Sequence, residues 1–231
     1  MWRSTTSRRR ERNRHCSSVV VRSHKRQAFR LLLFTSSVGA FLLVVKSVAT
    51  GEARPFDKTL RQKIAALRSP SMDIVSAVLT ATTAPALLIA SSLAVAVRFR
   101  HLGLRVWLPI ASSPLVAMIA GRCFTEILPQ QYAPTSKDGE RECCFPSGHT
   151  TGAAAEMFTM AYILRRSGVV SAPTATAIAI VPIAGGLNRL YRDRHWTSDI
   201  VAGLSAGTAI ATALTSIGAS RRGAAVDSRT Q

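Results

Sequence analysis

Acidic residues are scarce in this chain: 12 Asp and Glu stand against 30 Lys and Arg, a formal net charge of +18 over 231 residues. Cysteine is scarcer still. Cys16, Cys123, Cys143 and Cys144 are the only four, and none follows a zinc-ligand spacing. That excludes a disulfide scaffold and a zinc-finger type of site. No internal repeat of useful period is present, which excludes a solenoid or propeller. The first apolar stretch is not followed by a small-x-small cleavage site, which argues against a cleavable secretory signal.

The shortage of acids reads first as a basic surface for nucleic acid. The uncharged runs are too long for a small soluble basic domain, so no nucleic-acid partner is expected. Apolar residues make up 47% of the chain and are gathered into Ala/Leu/Ile/Val runs with the basic residues between them. Cytoplasmic segments of membrane proteins keep Lys and Arg in this way.

A spanning helix needs roughly 20 mostly apolar residues. Six candidates meet or approach that: 31–49, 73–97 with Pro85, 104–121 with Pro109 and Pro114, 149–164, 169–187 and 198–217. Proline is tolerated where neighbouring helices satisfy the freed carbonyls. The third and fourth runs are rich in small residues, which suits helices packed on helices. Between the first two spans, Phe56, Leu60, Ile64 and Leu67 recur at helical spacing and predict a short amphipathic helix lying on the membrane surface.

The expected fold is therefore all-α, a polytopic membrane bundle of about six helices over residues 31–218. A basic, disordered tail over 1–30 and a short basic tail over 219–231 flank it. Residues 1–30 hold ten Lys and Arg and one acid, Glu11. Their Arg- and Ser-rich composition leaves a transit peptide and a tail held at an anionic membrane surface both open.

With the N-terminus inside, 18 basic residues fall on the cytoplasmic side and 11 outside. The five in segment 50–70 weaken this bias. A bacterial inner membrane is the expected location, with an organelle membrane as the alternative.

Two segments carry chemistry. In Pro146-Ser147-Gly148-His149 a helix breaker and a good N-cap precede a helical run. Such a helix start binds phosphate well, and His149 stands in its first turn. In the second segment, Arg189 to Asp199, His195 and Asp199 are four apart and share one face if a helix starts there. A carboxylate so placed fixes the imidazole tautomer and supports its protonated form. Arg189 offers a planar fork for phosphate oxygens. Six spans put both segments on one side of the membrane, the non-cytoplasmic one.

These residues resemble the type 2 phosphatidic acid phosphatase superfamily. Pro-Ser-Gly-His is present intact at 146–149. The pattern Ser-Arg-x5-His-x3-Asp matches at Arg189, His195 and Asp199, with Asn188 in place of Ser. The resemblance covers roughly residues 56–217.

The family's first motif, Lys-x6-Arg-Pro, departs from the pattern. At the end of span three, Gly121 and Leu128 stand where Lys and Arg are expected before Pro129. Arg122 is the leading substitute, with Lys137 and Arg141 nearby.

By resemblance, His195 attacks phosphorus, Asp199 orients it, and His149 serves the leaving oxygen and then water. Arg189, Ser147, the Gly148 N–H and Arg122 would hold the phosphate. No metal or other cofactor is implied. The implied partners are the bilayer and a lipid phosphate or diphosphate. Candidates are phosphatidic acid, phosphatidylglycerophosphate and a polyprenyl diphosphate. A head-group phosphotransferase and a catalytically inactive lipid-binding relative are the alternatives.

Three further features are singled out. Glu156 lies two turns below His149, inside a span, where an acid either lines a polar cavity or pairs with a neighbouring helix. Arg192 and Arg194 are read as headgroup-level charges. A bridge from Cys123 to Cys143 or Cys144, free thiols, and a redox centre of the adjacent Cys143 and Cys144 are all open.

Overall fold

The structure, a computed structural model, describes residues 5–128, 134 and 145–227. Among them the regular elements are all helical: α1 (Thr5–Ala49), α2 (Arg54–Ala65), α3 (Pro70–Thr82), α4 (Pro85–Arg98), α5 (Leu104–Ile127), α6 (Gly148–Arg166), α7 (Ala172–Tyr191) and α8 (Thr197–Asp227). The backbone of 5–30 continues α1, where a disordered tail was expected. No Gly or Pro interrupts residues 1–38, and Arg is a good helix former.

Helical passes run back and forth between two ends of the bundle. At one end, Ala96, Ile110, Met160, Ile163 and Leu164 form a buried cluster that joins the end of α4, the start of α5 and the end of α6. Arg30 of α1 donates to the Tyr162 hydroxyl there. Arg98, Arg105, Arg165 and Arg166 therefore lie at this end. At the other end, the start of α6 meets the end of α7 and the start of α8, and α2 packs against α7 and α8.

Three helices are long and apolar enough to cross a membrane, namely Gln27–Ala49, Leu104–Ile127 and Thr197–Ser216. The expected second span is not one straight rod. It is α3 and α4, bent by 54° at a short break, and together they make a fourth candidate. Pro85 causes the break: Ala84 before it is extended, at φ −64° and ψ 136°, the conformation a following proline enforces. Thr83 at the corner is buried, and a side chain at Gly185 of α7 would meet its methyl at 2.6 Å.

The helices α6 and α7 occupy the places of the expected fourth and fifth spans but fall short on apolarity. For α6 the reason is position. The helix α6 sits at the centre, against α4, α5, α7 and α8, so its Ala, Thr and Glu face protein rather than lipid. Glu156 is fully buried there and accepts from the Ser91 hydroxyl of α4 at 2.7 Å. Of the two readings of this acid, the structure shows pairing with a neighbouring helix.

The close fit of α6 and α8 comes from a Gly-x3-Gly pair. A Cβ on Gly203 would meet the Ser147 carbonyl oxygen at 3.0 Å, and one on Gly207 would meet the Ala154 Cβ at 2.5 Å. Small residues four apart let two backbones approach in this way. The contact begins at Ser147, so it fixes the start of α6 against α8.

The surface helix α2 forms as expected, but its buried face differs. Phe56 is 63% exposed and Leu67 64%. The inward stripe is Asp57, Leu60, Arg61 and Ile64, with the carboxylate as its most buried member.

Candidate functional site

The start of α6 caps itself. Ser147 is extended, at φ −62° and ψ 107°, and its hydroxyl accepts from the Thr150 N–H at 3.4 Å and the Thr150 hydroxyl at 3.0 Å. The Gly148 and His149 N–H groups are among those that a helix start cannot bond within itself. Gly148 is exposed and His149 half-buried, while Ser147 is buried. The open rim of this turn is therefore Gly148 and His149, with the Ser147 hydroxyl engaged beneath them.

The second segment is built differently. The helix α7 ends at Tyr191, with Arg189 half-buried in its last turn. Its end is tied to α3. Asn188 donates to the Ser76 carbonyl at 3.1 Å and to the Thr80 hydroxyl at 2.9 Å, and the Tyr191 hydroxyl reaches Asp73 at 2.7 Å. Asn188, the departure from the family pattern, thus spends its side chain on helix packing.

Asp193 follows in the left-handed region at φ 52°, which Asp tolerates better than most residues. Arg61 bonds one of its oxygens at 2.9 Å and Arg68 the other. Burial raises the Asp193 carboxyl, but the hydrogen bonds and charge of the two guanidinium groups outweigh it and hold the group below its ordinary value.

His195 and Asp199 share one face at the start of α8. The His195 Nδ1 lies 3.4 Å from Asp199 Oδ2, a long contact that still turns Nδ1 toward the carboxylate and Nε2 away from it. The same oxygen accepts the Trp196 N–H at 2.7 Å. An acid in the first turn that reaches back to the N–H just before the helix makes one half of a capping box. The Asp199 side chain is fully buried and that of His195 is 11% exposed.

The two segments meet. The Ser147 N–H donates to the Asp199 carbonyl at 3.2 Å, backbone to backbone. Arg189 and His195 both lie close enough to act electrostatically on the His149 imidazole. Two imidazoles, a guanidinium, a buried carboxylate and a helix start thus converge at one end of the bundle. Such a group can bind an anion and pass a proton or a phosphoryl group between nitrogen and oxygen.

Arg122 stands apart from this cluster. It is exposed on α5, and no contact joins it to the histidines among the described residues. Pro129, Lys137, Arg141, Cys143 and Cys144 lie outside the described residues, and Cys123 is exposed. Arg192 and Arg194 are exposed, as headgroup-level charges would be.

Sequence reasoning missed Asp57. Both of its oxygens accept from Ser198, one from the N–H at 2.9 Å and one from the hydroxyl at 2.7 Å. The signal was the 57/60/61/64 stripe, which competes with the apolar 56/60/64/67 stripe on the same helix. The Gly203-x3-Gly207 spacing is a second such signal in the sequence.

A bundle of apolar rods around a polar mouth defines the class, an integral membrane protein. Within that class the chain belongs to the PAP2 superfamily, whose model matches residues 102–222, more than half of its length. No curated protein matches it. Among solved structures, the first transmembrane PAP2 type phosphatidylglycerolphosphate phosphatase from Bacillus subtilis is similar in fold. The TM-score is 0.67 at 18% identity, over 80% of this chain and 94% of that one.

Proposed function

We propose that the protein is a lipid phosphate or diphosphate phosphatase that works through a phosphohistidine on His195, at the non-cytoplasmic face of the membrane. The observation that carries this reading is the junction of the two histidine-bearing helix starts, locked by the Ser147 N–H to Asp199 carbonyl bond. PAP2 membership and the phosphatase fold neighbour support the reaction class.

The chemistry follows from the geometry. Asp199 faces Nδ1 of His195, so Nε2 is the nitrogen open to substrate. Nε2 attacks phosphorus, the P–O bond to the lipid breaks, and His149 gives its proton to the leaving oxygen. Water then attacks the phosphohistidine, His149 takes the water's proton, and the P–N bond breaks to release inorganic phosphate. Asp199 stabilises the charged imidazole in between. Arg189 and the Gly148 N–H bear on the equatorial oxygens, where charge develops, with the Ser147 hydroxyl below them. Arg122, near the end of α5, is the further cation proposed to reach the phosphate.

A site at the end of the bundle suits a phosphate at headgroup depth whose tail stays in the bilayer. Arg30, Arg98, Arg105, Arg165 and Arg166 gather at the opposite end, which favours a cytoplasmic assignment for that end.

The test is purified protein in detergent against phosphatidic acid, phosphatidylglycerophosphate and a polyprenyl diphosphate, with EDTA present. Release of inorganic phosphate that survives chelation and disappears in His195→Ala is the expected result. Phosphate appearing only on an added acceptor alcohol would make the protein a transferase. No turnover of any lipid phosphate would overturn the reading.

A further inference from the structure

We propose that Asp57, on the surface helix α2, is a positioning residue for the His195–Asp199 pair. The proposal rests on the phosphohistidine reading above.

Asp57 is 2% exposed, on a helix whose neighbouring residues Arg54, Pro55, Phe56, Lys58 and Thr59 are all exposed. Burying a carboxylate is costly unless it is fully bonded. Here each oxygen accepts from Ser198, one from its N–H and the other from its hydroxyl. Ser198 is the second residue of α8 and sits directly before Asp199. Its N–H is one that the helix cannot satisfy itself, and a negative charge there also complements the helix dipole. Asp57 therefore acts as an N-cap delivered from another helix.

A second contact brackets the histidine from the other side. One turn along α2, Arg61 bonds Asp193 at 2.9 Å and stands 5.8 Å from the Trp196 ring centre. The helix α2 thus grips the loop at residue 193 and again at 196–198, and His195 lies between the grips. No atom of α2 is needed for the chemistry itself. Its effect is to fix where Nε2 of His195 points relative to the turn at Ser147–His149.

A brace that serves only folding and one that sets reactive geometry differ in their kinetics. Loss of positioning lowers kcat, because small misplacements of reacting groups are costly, while the groups that bind phosphate and lipid keep KM. The full-length protein in detergent is assayed for kcat and KM on a turned-over lipid phosphate. Thermal stability and hydrogen exchange of the 193–200 amides are measured alongside.

Asp57→Ala is expected to lower kcat by about 10- to 100-fold with KM near wild type, and to speed exchange across 193–200. Asp57→Asn keeps an acceptor for the Ser198 N–H and should recover part of kcat. Ser198→Ala, which loses only the hydroxyl bond, should fall between Asp57→Asn and wild type. If Asp57→Ala does not fold, those two variants carry the test. A kcat that returns to wild type on cooling below the unfolding range, or an unchanged kcat with unchanged exchange, would overturn the proposal. If the wild type hydrolyses no lipid phosphate, the functional reading fails, and the exchange of 193–200 in Asp57→Asn still decides whether α2 holds the loop.

Discussion

The two histidines stand at two helix starts that are made in different ways. His149 lies in the first turn of α6, which is capped by its own Ser147. His195 precedes α8, whose first turn is capped partly by its own Asp199 and partly by Asp57, 141 residues earlier in the chain. The first is a local device, and its parts fit within four residues. The second depends on α2 being docked, so it forms only when the tertiary structure does. The difference matches the division of labour proposed for the site. On that proposal the self-capped turn presents a fixed anion cradle, and the externally held start carries the group that must be aimed.

Several substitutions break or sharpen this contrast. The largest effect falls on the aimed group itself. His195→Ala should lower turnover by on the order of 10⁴-fold or more, as loss of the reacting member of a triad does, measured as inorganic phosphate release. Next is the junction between the two starts. Gly207→Leu would drive a side chain into Ala154 and the Thr151 carbonyl, already 2.5 Å and 2.7 Å from a bare Cβ. It should cost about 1–3 kcal/mol or more of stability as overpacking does, seen as a lowered Tm in detergent.

Removing the local cap is milder. Ser147→Ala should cost about 1 kcal/mol, again read as Tm, without loosening 193–200 in hydrogen exchange. That is the opposite pattern to Asp57→Ala.

The external grip is also sensitive to pH. The Asp193 carboxyl is held below its ordinary value of 3.8 in the folded protein. A depressed carboxyl contributes stability that is fully present above the unfolded pKa and is lost as pH falls through the folded one. Thermal melts from pH 7 down to pH 3 should show the wild type losing stability more steeply than Asp193→Asn below about pH 4.

The smallest effect is expected at Arg122. An exposed charge reaching the phosphate through solvent is worth little, so Arg122→Ala should raise KM by about fivefold or less and leave kcat unchanged.

What could be read from the sequence follows the same contrast. The start of α6 was legible because Pro146, Ser147 and Gly148 carry its instructions side by side. The α2 helix was legible in existence, but its inward face was not. The apolar 56/60/64/67 stripe outweighs a lone Asp57, and only the buried Ser198 reveals which stripe wins. The bend at Thr83–Ala84 was hidden for a related reason. Pro109 and Pro114 sit inside an unbroken α5, whereas Pro85 breaks its rod, and Gly185 on α7 is what makes room for that corner. The central place of α6 was half visible in its small residues. Its shortfall in apolarity makes sense only once its neighbours are known.

The central claim is that His195 carries the phosphoryl group at a pocket shared with His149. Its most direct test is an alkaline detergent quench of the protein during turnover of a lipid phosphate labelled with ³²P, followed by peptide mapping at alkaline pH. The account predicts acid-labile, base-stable label on the peptide that contains His195, and in His149→Ala, where both steps are slowed, label that forms and decays more slowly. Label on another residue, or full turnover with no labelled protein at any quench time in either form, would contradict it.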